Sequence, residues 1–364
     1  MRVAIDARLT FYQPAGIGNY VLSLARELAR LLPDNLKILI SRRDRATPGK
    51  IPGVGFQRLW TPPHHRFEQL SLAAEIVGMN CDVYHAPDFI PPFLCPIPTV
   101  ITVHDCAFLR MPELLTASSK RFYGQIGPAV RRASRIIAVS HCTKQDLVTL
   151  VNANARKIDV VYEAPDERFS RLESAVSHGV CRSVGIETPF ALFVGTREPR
   201  KNLKRLLQAY ALAADVMDVP DLAIVGQRGW LDDDLGQIAV DLGIEGRMHW
   251  LGRLPDEMIV HLYNCTVVLL YPSLYEGFGL PMVEAMACGA PVVAGNLGAL
   301  PEISGGAAIL VDPFSVKSIA DGLLNVLRSA SLREDLRGRG LERVRSFSWK
   351  QAATETLDTY RRAA

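Results

Sequence analysis

The 364 residues contain no Cys-x-x-Cys pair, no run near the roughly 20 apolar residues that cross a membrane, and no short repeat or low-complexity tract. The seven cysteines (Cys81, Cys95, Cys106, Cys142, Cys181, Cys265 and Cys288) are odd in number and scattered. That excludes a zinc ribbon and a disulfide framework, and points to reduced, mostly buried thiols in a cytoplasmic protein. Charge is also scarce: a net +3 gives no reason to expect a nucleic-acid partner. The N-terminus has no leader pattern, because Met1 to Ala7 already reads as a strand. What is abundant is apolar residue, at 48%. In a chain of this length that suits two domains with buried parallel sheets.

Short apolar, β-branched runs alternate with helical periodicity along the chain. In the first half the expected strands are 3–5, 37–41, 55–59, 82–85, 99–103, 135–139 and 158–162. The expected helices there are 19–32, 67–77, a segment 117–133 kinked near Gly127-Pro128, and 144–151 capped by Ser140. Residues 163–189, with Pro165, Pro189 and several charges, read as a connection. The alternation restarts with strands at 190–195, 222–226, 248–251, 266–271, 291–294 and 308–311. Helices are expected at 203–214, 231–242, 255–263, 282–288 and 316–327. This is the pattern of α/β doubly wound, Rossmann-like sheets, which bind ligands at the carboxyl ends of their strands. The domains expected are 1–165, 190–345 after the connection 166–189, and a last helix within 346–364.

The densest signal is Tyr271 to Val293. A buried strand stops at Pro272-Ser273, and a loop with Gly277 and Gly279 follows. A helix then opens at Pro281 and ends at Gly289. A glycine loop between a strand end and a helix start is an anion site, since free N–H groups and the helix dipole favour negative charge. Two carboxylates, Glu276 and Glu284, bracket it. A bare phosphate would be repelled by them, whereas a sugar nucleotide uses both features: amides for the diphosphate, carboxylates for ribose and hexose hydroxyls. The Glu-x7-Glu spacing alone fits equally well two solvated glutamates on a strand–loop–helix unit. The whole string Glu-Gly-Phe-Gly-Leu-Pro-x-x-Glu-Ala-Met-Ala-x-Gly-x-Pro-Val-Val, however, resembles the donor-binding motif of the retaining, GT-B-type glycosyltransferases of family four.

That resemblance implies two Rossmann-like domains facing each other across a cleft (GT-B), with the last helix, opened by Phe347-Ser348-Trp349, crossing back to the first. It implies that Glu284 holds ribose and Glu276 the hexose, and that Gly277, Phe278, Gly279 and Leu280 offer amides to the diphosphate. Gly195 to Asn202 carries three basic residues at a strand end, and resembles the family's second diphosphate motif. Lys201 matches its lysine. Thr196 stands at the usual arginine position, so either Arg197 or Arg200 takes that role. Gly226 resembles the glycine loop beside the nucleotide, and Arg253 with Leu254 the backbone that reads the base. Gly16 and Gly18 lie between the first strand and helix without completing Gly-x-Gly-x-x-Gly; the family places a phosphate-facing loop there.

Val103-His104-Asp105 ends a buried strand. The family match sets His104 beside the transferred sugar, with Asp105 orienting the ring or touching the acceptor; His85 and Asp88 form a second pair on the acceptor side. Asp232-Asp233-Asp234 reads as the favourable acidic start of a helix rather than a metal site. No metal or cofactor is expected. Residues 118–135 carry Lys120, Arg121, Arg131, Arg132 and Arg135 without an acid; they read first as a solvated face, and alternatively as a surface for anionic lipid.

The function expected is retaining transfer of a hexose from a nucleotide-diphosphate sugar to a glycan or lipid-linked acceptor in polysaccharide biosynthesis. The setting is the cytoplasm, with the inner face of the plasma membrane as an alternative station. Ile5-Asp6-Ala7-Arg8, Gly16 to Tyr20 and Glu198 to Asn202 resemble bacterial polysaccharide mannosyltransferases. GDP-mannose is thus the first donor, with UDP-glucose, UDP-N-acetylhexosamine and dTDP-rhamnose open. A non-hydrolysing sugar-nucleotide epimerase and a non-catalytic sugar-nucleotide-binding protein are the rivals.

Overall fold

Continuous apolar runs become strands buried on both faces, as parallel sheets require. Phe190-Ala191-Leu192-Phe193, for instance, is wholly inaccessible. The computed structural model describes residues 1–8, 16–42, 51–63, 67–115, 117–187, 189–229 and 234–364, with backbone alone at 117 and 118. The chain forms two units: Met1–Glu163 with Ser348–Ala364, and Ala164–Phe347.

Among the described residues, the first unit carries seven strands: β1 (Val3–Asp6), β2 (Leu36–Ser41), β3 (Val54–Leu59), β4 (Val83–Ala86), β5 (Thr99–Val103), β6 (Arg135–Ala138) and β7 (Ile158–Val160). All pair in parallel, in the order β3-β2-β1-β4-β5-β6-β7. The second unit carries β8 (Phe190–Val194), β9 (Asp221–Val225), β10 (Met248–Gly252), β11 (Val268–Tyr271), β12 (Val292–Gly295) and β13 (Ile309–Val311). These are also parallel, ordered β10-β9-β8-β11-β12-β13. In each sheet the winding reverses once, between β1 and β4 and between β8 and β11. Loops leaving those neighbouring strands diverge, and the gap between them is where a doubly wound sheet receives its ligand.

Three sequence expectations need correction. Residues 166–189 are not a bare connection. They include the helix Ser174–Ser183, which belongs to the second unit and lies on the helix Asp256–Cys265. Ser177 Oγ is 3.1 Å from His261 Nδ1, and Asn264 Oδ1 accepts the Leu172 N–H at 2.9 Å. The buried face is made of small residues, Ser177 and Cys181, so it carries little hydrophobic signal. The segment 117–133 is two helices, Ala117–Tyr123 and Ile126–Arg132, and the break falls at Gly124-Gln125 rather than at Gly127-Pro128. Pro128 sits in the first turn of the second helix, where its missing N–H would have had no intrahelical partner. Finally, Ala330–Val344, for which no element was expected, is a helix whose mostly charged sequence buries only Leu336 and Gly340.

The helix Trp349–Ala363 starts from Ser348, whose side chain accepts the Gln351 N–H at 3.1 Å. It packs against the helix Ile17–Leu31, with the Trp349 and Tyr20 rings 5.7 Å apart. A buried polar chain fixes it to the sheet. His85 Nδ1 lies 2.7 Å from Tyr360 Oη, His85 Nε2 lies 2.8 Å from Thr102 Oγ1, and Thr102 Oγ1 lies 3.1 Å from Tyr20 Oη. His85, expected on the acceptor side, is therefore a core residue with 0% exposure and both ring nitrogens engaged. Burial, helped by the nearby His104, pushes it down to about 3, so it stays neutral in the folded chain.

A folded-state value below the unfolded one means stability that is complete above about pH 6.5 and declines as pH falls toward about 3. In the protein with His85→Asn, the slope of unfolding free energy between pH 6.5 and 4.5 should flatten by roughly 1.4 kcal/mol per pH unit relative to wild type. Urea unfolding at a series of pH values measures it; parallel slopes would contradict the assignment.

Candidate active site

The loops after β8 and β11 meet at the reversal point of the second sheet. Lys201 and Glu276 are both buried, and Lys201 Nζ donates to Glu276 Oε1 at 2.7 Å and to Tyr271 Oη at 3.0 Å. Tyr271 Oη donates to the same carboxylate oxygen at 2.8 Å, and Arg200 Nη1 reaches Glu276 Oε2 at 3.0 Å. Arg200 Nη2 also holds Glu198 at 2.9 Å. Burial would raise the Glu276 carboxyl, but Lys201 and Arg200 outweigh it and hold the group down at about 2. Backbone joins the loops as well. The Leu274 N–H donates to Arg200 O at 2.8 Å, and Asn202 Nδ2 donates to Pro272 O and Pro313 O at 3.0 and 2.6 Å. Asn202 takes the left-handed conformation (φ 63°) that turns the chain into the helix Leu203–Ala214.

Glycines let neighbouring loops touch. A Cβ at Gly226 would lie 1.8 Å from the Gly195 carbonyl oxygen, so the turns after β8 and β9 are in backbone contact. The Gly195 N–H donates to Val225 O at 2.9 Å, the Gly226 N–H to Gly252 O at 2.7 Å and the Arg197 N–H to Gln227 O at 3.0 Å. Thr196 is half-buried in this seam, and the Arg197 guanidinium lies 5.4 Å from the Trp250 ring centre. Arg197 thus faces β10, while Arg200 is the arginine that meets the Glu276 loop. Arg253 is exposed and Leu254 half-buried at the end of β10, just before the helix Asp256–Cys265.

The helix Leu280–Ala287 starts from Gly279 (φ 98°), with Pro281 in its second position rather than its first. Gly277 is buried, and the buried Phe278 ring packs edge-on to Phe347 at 5.5 Å, so this side chain anchors the loop to the core. Glu284 Oε2 accepts from Tyr263 Oη at 3.2 Å. Burial, reinforced by Asp256, pushes its carboxyl up to about 8. One unit therefore contains two glutamates with opposite tendencies: the Glu276 carboxyl is held down by its cations, and that of the half-buried Glu284 is pushed up.

In the first unit, His104 follows β5. Its Nδ1 lies 2.8 Å from Glu163 Oε1 and its Nε2 lies 2.8 Å from Pro87 O. The ring partner at Nδ1 is therefore Glu163; Asp105, expected to orient the ring or touch the acceptor, accepts the Ala107 N–H at Oδ1 at 2.9 Å. Burial would lower His104, yet the hydrogen bond to Glu163 and its charge raise it above 6.5. Asp88 Oδ1 accepts the Phe89 N–H at 2.8 Å. Gly16 (φ 58°) is the exposed cap of the helix Ile17–Leu31, and Gly18 is buried in its first turn. Asp232 and Asp233 lie outside the described residues; Asp234 Oδ1 caps the helix Leu235–Asp241 by accepting the Gln237 N–H at 3.1 Å.

Residues 14–168 match the family described as "Glycosyltransferase Family 4", and residues 183–343 the family "Glycosyl transferases group 1". The O-antigen chain mannosyltransferase B of Escherichia coli is 35% identical over 283 residues, covering 77% of this chain and 74% of that protein. The chain belongs to the family-4 glycosyltransferases. Two solved structures superpose on nearly its whole length and show that this glycosyltransferase has the GT-B fold. Sucrose-phosphate synthase from Thermosynechococcus elongatus is 19% identical, with TM-score 0.80 and 99% and 98% of the two chains covered. HepE from Anabaena, solved with UDP and glucose, is 21% identical, with TM-score 0.76 and 99% of each chain covered.

Several site residues of the glycosyltransferase escaped sequence reasoning. Tyr271 looked like the end of an apolar strand, and Glu163 like the start of a linker. Gly298 was passed over, although a Cβ there would lie 2.7 Å from Glu276 O, and its neighbour Ala299 donates its N–H to that oxygen at 2.9 Å. The positive φ that Gly298 requires (63°) is the one signal a sequence could have carried.

Removing one cation of a buried cluster leaves its carboxylate short of compensation, so Lys201→Met should lower the unfolding free energy by about 3 kcal/mol, and Lys201→Met with Glu276→Gln by less than the two single losses together. Chemical denaturation of Lys201→Met, Glu276→Gln and the double variant checks this; an additive loss would show that the two side chains do not act as a pair.

Proposed function

We propose that the chain transfers a hexose with retention from a nucleotide-diphosphate sugar, GDP-mannose first, to a glycan or lipid-linked acceptor in polysaccharide biosynthesis. The observation that carries the reading is the junction of Lys201, Arg200 and Glu276 at the reversal point of the second sheet, in a chain related to an O-antigen mannosyltransferase. HepE, which has the same fold, was solved with UDP and glucose, so a uridine donor is the competing choice.

The second unit is proposed to hold the donor. Amides of Gly277 to Leu280, Lys201 and Arg200 (with Thr196 and Arg197 beside them) meet the diphosphate, Glu284 the ribose and Glu276 the hexose. Gly226, Arg253 and Leu254 border the base. As the bond from the anomeric carbon to the phosphate oxygen breaks, negative charge grows on the diphosphate, and the amides and cations assigned to it stabilise that charge. The acceptor oxygen forms its bond on the same face, and its proton passes to the departing phosphate. In the first unit, Gly16, Gly18, His104, Asp105 and Asp88 are the proposed sugar and acceptor contacts. The reading assigns no metal or cofactor to the reaction.

Lys120, Arg121, Arg131 and Arg132 are exposed, while Phe122 and Tyr123 are drawn into an aromatic cluster with Phe89 and Phe108, and Arg135 is paired with Asp159 at 2.6 Å. Among the described residues no helix is long and apolar enough to cross a membrane. We propose that the four exposed cations, on a cytoplasmic protein, meet anionic lipid at the inner membrane face. Flotation with anionic vesicles should fall on neutralising them; equal flotation removes the idea.

The donor is tested by thermal shift against GDP-mannose, UDP-glucose, UDP-N-acetylglucosamine and dTDP-rhamnose, followed by product analysis. Nucleoside diphosphate plus an α-mannoside is expected from GDP-mannose, and Glu276→Ala should cut turnover by about 100-fold or more. An epimerised donor would favour the epimerase, and binding without turnover a silent sensor. Because ribose hydroxyls donate to the ionised form of Glu284, nucleotide affinity should rise roughly tenfold between pH 7 and 9. In Glu284→Gln it should stay flat, as read by calorimetry.

A further inference from the structure

His104 offers two ring nitrogens, and the structure gives each an oxygen. The oxygen at Nε2 is the Pro87 carbonyl, 2.8 Å away, which can only accept. Nε2 must therefore carry hydrogen. The oxygen at Nδ1 belongs to Glu163, 2.8 Å away, a side chain 5% exposed. Between a carboxylate and an imidazole the shared proton rests on the imidazole, because the carboxylate is the weaker base by about two pH units. The edge of Tyr20 presses on the ring, at 4.8 Å and 86°, and limits its rotation.

We propose that Glu163 is the positioning residue that fixes His104 as a charged Nε2–H donor, so that this histidine serves the transferred sugar or the leaving phosphate as a donor and cation and not as a base. The inference rests on the reading above, that His104 contacts the sugar substrate. With Nδ1 protonated toward Glu163, no lone pair of the ring is available to take a proton. A substrate oxygen can instead replace the Pro87 carbonyl at Nε2 without any change of tautomer. Glu163 is also the last residue of the first unit, next to Ala164, where the second begins. The charged groups that face His104 are Glu163 after β7 and Asp88 after β4; the neutral, buried His85 lies nearby in β4, and Tyr20, from the helix Ile17–Leu31, packs on the ring.

The test is nitrogen-15 NMR of histidine-labelled full-length chain, with His104 assigned by His104→Asn, alongside steady-state kinetics. In wild type at pH 7, both His104 nitrogens should show the shifts of an imidazolium; a neutral tautomer there overturns the proposal without any variant. In Glu163→Gln, which keeps an acceptor at Nδ1 but removes the charge, the His104 midpoint should fall by about 1 or more. The value of kcat should fall by about tenfold or more, with donor KM nearly unchanged. Glu163→Asp should restore much of both. An unchanged midpoint in Glu163→Gln, or an unchanged kcat, overturns the proposal. If no nucleotide sugar is turned over by wild type, the functional reading fails, and the NMR titration still decides the histidine–glutamate pair.

Discussion

A carboxylate buried in a protein persists only if cations or donors replace the water it has lost, and Glu276 has three: Lys201, Arg200 and Tyr271. That requirement ties together two loops that leave the sheet in opposite directions. The loop after β8 brings two adjacent cations, and the loop after β11 brings the carboxylate just before two glycines. Asn202 and Gly298 close the arrangement from the sides through backbone contacts. The result is a preorganised charged floor at the sheet's reversal point, made before any ligand arrives. Electrostatic help to a leaving diphosphate depends on donors that do not have to reorganise during the reaction.

The first unit applies the same principle to different residues. At the end of β1, the buried Arg8 gives its Nη2 to Asp6 and Glu68, both at 2.7 Å, and its Nη1 to Thr61 O at 2.9 Å. Tyr84 Oη adds a donor to Asp6 at 2.7 Å. At the end of β5, the Glu163 carboxylate lies 2.8 Å from His104 Nδ1 and raises that histidine above its ordinary range. Among the described residues of this unit, His85 departs from this pattern. Its partners are hydroxyls, burial wins, and it remains neutral where the last helix is anchored.

The two sheets were readable because parallel strands are buried on both faces and therefore leave unbroken apolar runs, such as Phe190 to Val194 and Thr99 to Val103. Helices with a wide apolar stripe, Ile17–Leu31 and Val316–Arg328, were readable for a related reason. Ser174–Ser183 and Ala330–Val344 were not. Each buries only a few small or isolated residues, so no apolar periodicity marked them, and neighbouring helices supplied what local propensity did not.

By itself, the sequence determined the candidate residues of the donor site, because glycines at strand ends, a proline at a helix start and two glutamates with seven residues between them are local features of one short segment. It also determined the family, through the combination of those features. Tertiary structure alone decided which of these residues are partners. The pairing of Lys201 with Glu276 spans 75 positions, that of His104 with Glu163 spans 59, and that of His85 with Tyr360 spans 275. Charge state follows pairing and burial, not residue type. The chain order therefore could not say that the Glu276 carboxyl is held down while that of Glu284 is pushed up, or that His104 is raised and His85 lowered.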